Sequence, residues 1–154
     1  MRRRIRSRRT SKDDEHVLQN RYLSVSFLPE LGGKITSIRD AAGREYVSRS
    51  TVPYARRTYG MDYGETEFDG IDEIFPTLGA CPYPAGPWEG TPMVGHGELF
   101  TAAWRRVEGR GVTLEADGVR LPYVFRRQAV LEGPALVLRY TVRNLSDEPM
   151  PFLY

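Results

Sequence analysis

Apolar and polar residues alternate with a period of two along much of the chain. Leu23, Val25 and Phe27 are interleaved with Ser24 and Ser26, and Val112, Leu114 and Ala116 with Thr113, Glu115 and Asp117. Leu136, Leu138, Tyr140 and Val142 are interleaved with Val137, Arg139, Thr141 and Arg143. This period predicts half-buried antiparallel strands. A further strand carries Arg126 and Arg127, where alternation puts Arg127 on the face of Tyr123 and Phe125 and so makes it the interior arginine. Asp117-Gly118 reads as a tight hairpin turn, Glu132-Gly133 as a second, and Asn144-Leu145-Ser146-Asp147 as the start of another before Pro149. No segment has helical periodicity. Strands and turns at this spacing predict an all-β protein, an antiparallel β-sandwich.

From Thr51 to Pro92 the alternation stops and Gly, Pro and Tyr become dense. An excursion of this length inside a compact domain is usually functional or disordered, and its aromatic content favours an ordered, functional loop. The segment from Phe68 to Trp104 holds the candidate chemistry. Asp69, Asp72 and Glu73 flank Gly70, where a missing side chain lets a ligand approach the backbone. Carboxylates accept several hydrogen bonds from vicinal hydroxyls. Phe75, Tyr83, Trp88, Phe100 and Trp104 offer flat apolar faces of the kind that wall a small-molecule site. His96, between Gly95 and Gly97 and followed by Glu98, has an imidazole able to donate or accept a proton near neutral pH. Together these suggest a sugar site, against the blander reading of solvated acids and aromatics covering a core edge. Arg56, Arg57 and Tyr59 open the excursion and could donate to sugar hydroxyls, although two adjacent arginines more often face solvent or pair with acids such as Glu65 or Glu67.

Composition adds a boundary. The chain has 154 residues, enough for one domain. Its net charge of +2 is misleading: residues 1–12 hold seven of the 22 basic residues and none of the 20 acidic ones, leaving 15 basic against 20 acidic. Residues 1–15 are therefore expected to be a disordered basic tail, and residues 16–154 the folded part. His16, beside Asp13, Asp14 and Glu15, is assigned to that solvated tail. Such a run can attract phosphates weakly, but no specific nucleic-acid partner is expected. No apolar stretch follows the arginines as in a secretory signal, and none is long enough for a membrane-spanning helix. The lone Cys81 cannot form an internal disulfide, has no nearby base, and is expected to pack within its loop. These features predict a cytoplasmic protein with no membrane partner.

Several elements coincide in order with the aldose 1-epimerase, or galactose mutarotase-like, family. Tyr22 to Ile35, with its Gly32-Gly33 turn and the following Ile35-Thr36-Ser37-Ile38, resembles that family's opening hairpin. Gly70-Ile71-Asp72-Glu73-Ile74-Phe75-Pro76 is similar to its Gly-x-x-x-x-Phe-Pro segment, and His96-Gly97 followed by Trp104 to its His-Gly element. The resemblance runs over residues 20–154 and implies a sandwich of the supersandwich type, incomplete at its C-terminal end. It also implies reversible ring opening of an aldose, in which a His protonates the ring oxygen while a Glu removes the anomeric hydroxyl proton. Proton transfers of this kind need no metal or organic cofactor.

On that basis His96 is the candidate acid or substrate-orienting residue, and Asp69, Asp72, Glu73, Trp88, Glu98 and Arg127 are candidate substrate contacts. The family's second His and its Glu base would fall beyond Tyr154. The expected function is thus an aldose 1-epimerase-like carbohydrate isomerase lacking its base, or else a non-catalytic carbohydrate-binding module. An arginine frequent in the family near the Gly-x-x-x-x-Phe-Pro segment is replaced here by Phe68 and Asp69. The acidic cluster disfavours sugar phosphates and favours a neutral monosaccharide or its glycoside. An incomplete sandwich leaves an unpaired sheet edge through which the chain could self-associate.

Overall fold

The computed structural model describes residues 15–152. Nine strands follow in chain order: β1 (His16–Gln19), β2 (Leu23–Leu28), β3 (Lys34–Asp40), β4 (Cys81–Pro82), β5 (Pro92–Met93), β6 (Arg105–Arg106), β7 (Val112–Asp117), β8 (Tyr123–Glu132) and β9 (Ala135–Asn144). They form antiparallel sheets of order β1-β2-β3, β4-β5 and β6-β7-β8-β9, and the only helical turns among the described residues are three-residue 3-10 segments. The all-β, sandwich-like architecture read from the period-two pattern is the one observed.

The two larger sheets bury facing rows. Val25 and Phe27 of β2 and Ile35 of β3 join Val112, Leu114 and Ala116 of β7 and Tyr123, Phe125 and Ala129 of β8 in one core cluster. Phe75, Tyr83, Met93, Leu99, Trp104 and Leu121, from outside the larger sheets, complete it. Phe75 packs edge-on to Tyr123 at 4.9 Å between ring centroids, and Trp104 edge-on to Phe125 at 5.6 Å. Such offset and T-shaped contacts are the favoured geometries of aromatic pairs.

One of the two expected hairpin turns differs from expectation. Asp117-Gly118 does not make a two-residue hairpin: β8 begins only at Tyr123, because Gly118 N–H bonds to Tyr123 O across a five-residue loop. The tight connection is the other one, where Gly133, at φ +60°, and Pro134 join β8 to β9. The expected tail over 1–15 lies outside the described residues except for Glu15, whose carboxylate accepts a hydrogen bond from Thr36 Oγ1 at 2.9 Å. His16 is not part of a tail; it opens β1, and its Nδ1 stands 2.8 Å from an Arg106 guanidinium nitrogen.

The excursion is stitched to the sandwich by backbone bonds. Ile71 exchanges two hydrogen bonds with Ile35 of β3, and Phe75 bridges to Gly97, with Glu98 N–H donating to Phe75 O at 2.7 Å. The segment 71–78 therefore runs between β3 and the strip 94–98 that carries His96. Among the described residues no helix is long and apolar enough to cross a membrane.

Candidate functional site

His96 is the one non-glycine residue with positive φ among those described, at +60°. Its N–H donates to Leu78 O at 2.7 Å, which fixes this left-handed bend. Gly97, at φ +70°, is required next to it, since a Cβ there would lie 2.1 Å from Phe75 O. A side chain held in a sparsely populated backbone region points to function when the surrounding structure enforces it.

The imidazole stacks on Tyr63, with ring centroids 4.3 Å apart and planes 14° from parallel. One face of the ring is therefore covered. His96, Tyr63, Met61, Asp62, Leu78 and Met93 are among the residues that line an open cleft of about 500 Å³. Tyr63 begins a 3-10 turn, Tyr63–Glu65, capped by Asp62, whose Oδ1 accepts from Gly64 N–H at 2.7 Å.

Behind the cleft lies a buried ionic cluster. Asp72 Oδ2 is 2.8 Å from Lys34 Nζ, and Asp72 Oδ1 is 2.7 Å from Arg57, with all three side chains at most 1% exposed. Lys34 also donates to Asp69 O at 2.6 Å and stands 3.2 Å from Asp69 Oδ1. Asp69 Oδ2 accepts from Ser50 N–H and from the Tyr54 hydroxyl. Two cations thus neutralise two carboxylates in a desolvated place, where an unpaired charge would be costly. Tyr63 joins the cluster through its hydroxyl, 3.2 Å from Asp72 Oδ2. Burial, reinforced by the Asp72 charge, pushes the Tyr63 phenol above its usual range.

The expected substrate contacts fall into different surroundings. Asp69 and Asp72 are engaged in the cluster just described. Glu73 binds Arg127 at 2.8 Å and Tyr140 Oη at 2.9 Å. Arg127 is interior, as alternation indicated: its guanidinium bonds to Gly33 O and lies 5.2 Å above the Trp104 ring and 5.5 Å above Phe27. Glu98 is fully buried and accepts from Val119 N–H, Arg120 N–H and the Tyr123 hydroxyl at 2.8 to 3.0 Å, so it holds a loop together. Trp88 packs edge-on to Tyr83 and does not belong to the cleft wall. Gly70 admits backbone, not ligand: a Cβ there would sit 2.3 Å from Ile35 O. Arg57 pairs with Asp72, not with Glu65 or Glu67. Cys81 is exposed on β4 instead of packed within its loop.

Asp62, Met61 and Tyr63 were not singled out from the sequence. No local signal marks them beyond the Gly60 and Gly64 that bracket the turn. The wall carries one carboxylate, one imidazole and neither Lys nor Arg. The charges of Asp69 and Asp72 are met by Lys34 and Arg57, so the acidic cluster read from the sequence is not a free negative field. Among the described residues no group of three or more His, Cys, Asp or Glu side chains is arranged to hold a metal ion.

No protein-family model matches the chain, and no curated protein matches it. The crystal structure of the Slr1438 protein from Synechocystis sp. PCC 6803 has a similar fold, with a TM-score of 0.70 and 18% sequence identity over 90% of this chain. The match spans 51% of that protein, so this chain corresponds to about half its length. At this identity the likeness concerns the fold alone.

Proposed function

We propose that the chain carries the histidine-bearing part of an aldose 1-epimerase-like site and that the His96 cleft receives a neutral monosaccharide or its glycoside. The observation that carries this reading is His96 itself, bent into the cleft by an enforced left-handed backbone and stacked on an aromatic ring. The cleft volume of about 500 Å³ suits one or two sugar rings, and a wall of methionines, an aromatic ring, one acid and one imidazole supplies apolar faces with few polar contacts. In such a site His96 gives a proton to the ring oxygen as the bond from that oxygen to the anomeric carbon breaks. A base takes the anomeric hydroxyl proton, and the carbonyl forms at that carbon. Reclosure on the other face reverses these transfers.

A second reading, sugar binding without catalysis, is favoured by the carboxylates. Asp72, Glu73 and Glu98 are all engaged by protein donors, which leaves Asp62 as the carboxylate on the cleft wall. Exchange NMR of the anomeric protons of glucose and galactose separates the two. With His96 present and the base absent, catalysis appears as weak acceleration of anomer exchange that is lost in His96→Asn, a substitution that tolerates the left-handed backbone. Saturable binding with no acceleration supports the second reading, and neither binding nor acceleration removes both.

A further inference from the structure

We propose that Tyr63 is a positioning residue that sets the plane of the His96 imidazole, and that Asp72, clamped by Lys34 and Arg57, is the anchor that sets Tyr63. The inference rests on the sugar-site reading for its functional meaning, but its geometry stands apart from it.

Functional histidines are commonly oriented by a hydrogen bond from one ring nitrogen to a carboxylate or carbonyl. Neither ring nitrogen of His96 has a hydrogen-bond partner among the described residues, so orientation must come from elsewhere. The Tyr63 ring supplies it by lying nearly parallel to the imidazole at 4.3 Å. Tyr63 is itself held at both ends. Its hydroxyl reaches Asp72 Oδ2 at 3.2 Å, and its ring meets the edges of Phe68 and Phe100, each at 5.4 Å. Phe100 also stands edge-on to His96 at 6.4 Å, and its backbone carbonyl accepts from Arg57 at 3.0 Å. The same arginine therefore fixes both the anchor of Tyr63 and the ring that abuts it.

The arrangement leaves both imidazole nitrogens available to a ligand while one ring face is closed. It also assigns Tyr63 a role other than proton donor. Its phenol is pushed up by burial and by Asp72, and its hydroxyl is directed at that carboxylate, away from the imidazole it supports. The sugar is left with His96 as its partner for proton transfer, and Tyr63 governs where that proton points.

The test is the His96 Hε1 resonance of the full chain, assigned by its loss in His96→Asn; the chain has two histidines. Face-on stacking shifts this proton upfield. In Tyr63→Leu it is expected to move downfield, with galactose or glucose affinity falling about tenfold, the equivalent of one 1.4 kcal/mol step. Tyr63→Phe keeps the ring but cuts the tether, and is expected to move the resonance by less. A His96 resonance unchanged in both variants overturns the proposal, and one unchanged in Tyr63→Phe alone removes the Asp72 anchor from it. Should the wild-type chain bind no monosaccharide, the sugar reading fails while the resonance still decides whether Tyr63 positions the imidazole.

Discussion

Glu98 shows how far a residue's role depends on what folds against it. In sequence it follows His96-Gly97 and reads as a ligand contact; in the structure two loop amides and the Tyr123 hydroxyl converge on it. Glu98→Ala is therefore expected to lower stability by about 3 kcal/mol, since it strands the buried Tyr123 hydroxyl and two part-buried loop amides. The urea midpoint at unchanged slope measures it, and a loss below about 1 kcal/mol would place the loop's stability elsewhere. Asp72 and Glu73 tell the same story. Their type and their clustering beside Gly70 were legible, but their partners, Lys34 and Arg127, stand 38 and 54 residues away in sequence. No local pattern distinguishes a solvated carboxylate from one that meets a distant cation in the core. His96 was legible because glycines on both sides mark a bend, whereas Tyr63 was not, because a stack between residues 63 and 96 leaves no trace near either.

Among the elements, the strip 94–98 and the β8–β9 hairpin make separate claims. Gly97→Ala would drive a Cβ into Phe75 O and strain the φ of +70°. The strain alone is worth about 1–3 kcal/mol, and the backbone clash adds to it, so the variant is expected to lose stability and to displace the His96 resonance. Thermal unfolding and that resonance check both, and a variant matching wild type would mean that the Phe75–Gly97 bridge does not hold the strip. In the hairpin, Arg139 donates to Glu132 at 2.9 Å and holds its carboxyl below the usual value of 4.5. A carboxyl depressed on folding stabilises the fold above its unfolded pKa, and the benefit is lost as pH falls through the lower folded value. The stability advantage over Glu132→Gln should thus be present at neutral pH and shrink below about 4.5. An advantage that is constant from neutral to acid pH would assign it to something other than this pair. The β7–β8 connection shows where turn chemistry misleads: Asp117-Gly118 has the residues of a tight turn, but the loop runs on to Pro122 as Glu98 organises Val119 and Arg120.

At the scale of the molecule, the sandwich was legible because burial on one face of each strand writes itself as alternation. The excursion was legible as an ordered loop but its path was not, because that path is set by the buried cluster, the Ile35–Ile71 pair and the Phe75–Gly97 bridge, all of which join distant segments. β9 ends its sheet, and Leu136, Leu138 and Val142 on its core face are only partly buried. The self-association suggested from the sequence would use this edge. Thr141→Lys on the exposed face of β9 is expected to weaken any concentration-dependent association in sedimentation, and association undiminished by it would exclude this edge. Tyr54, Tyr63, Tyr83 and Tyr123 are all pushed above the usual phenol value of 10.0, with burial the leading cause in each. Groups raised in this way stabilise the fold below that value and withdraw the contribution as pH rises through their folded values. Alkaline unfolding and phenolate absorbance should accordingly appear together, above the range of free tyrosine.

The central claim is that a neutral sugar occupies the cleft beside His96. It is tested most directly by titrating the full chain with galactose, glucose and glucose 6-phosphate while following the His96 Hε1 resonance. A saturable shift with a neutral sugar, and a weaker one with the phosphate, is the result this structure calls for; no shift with either neutral sugar, or an equal shift with the phosphate, would contradict it.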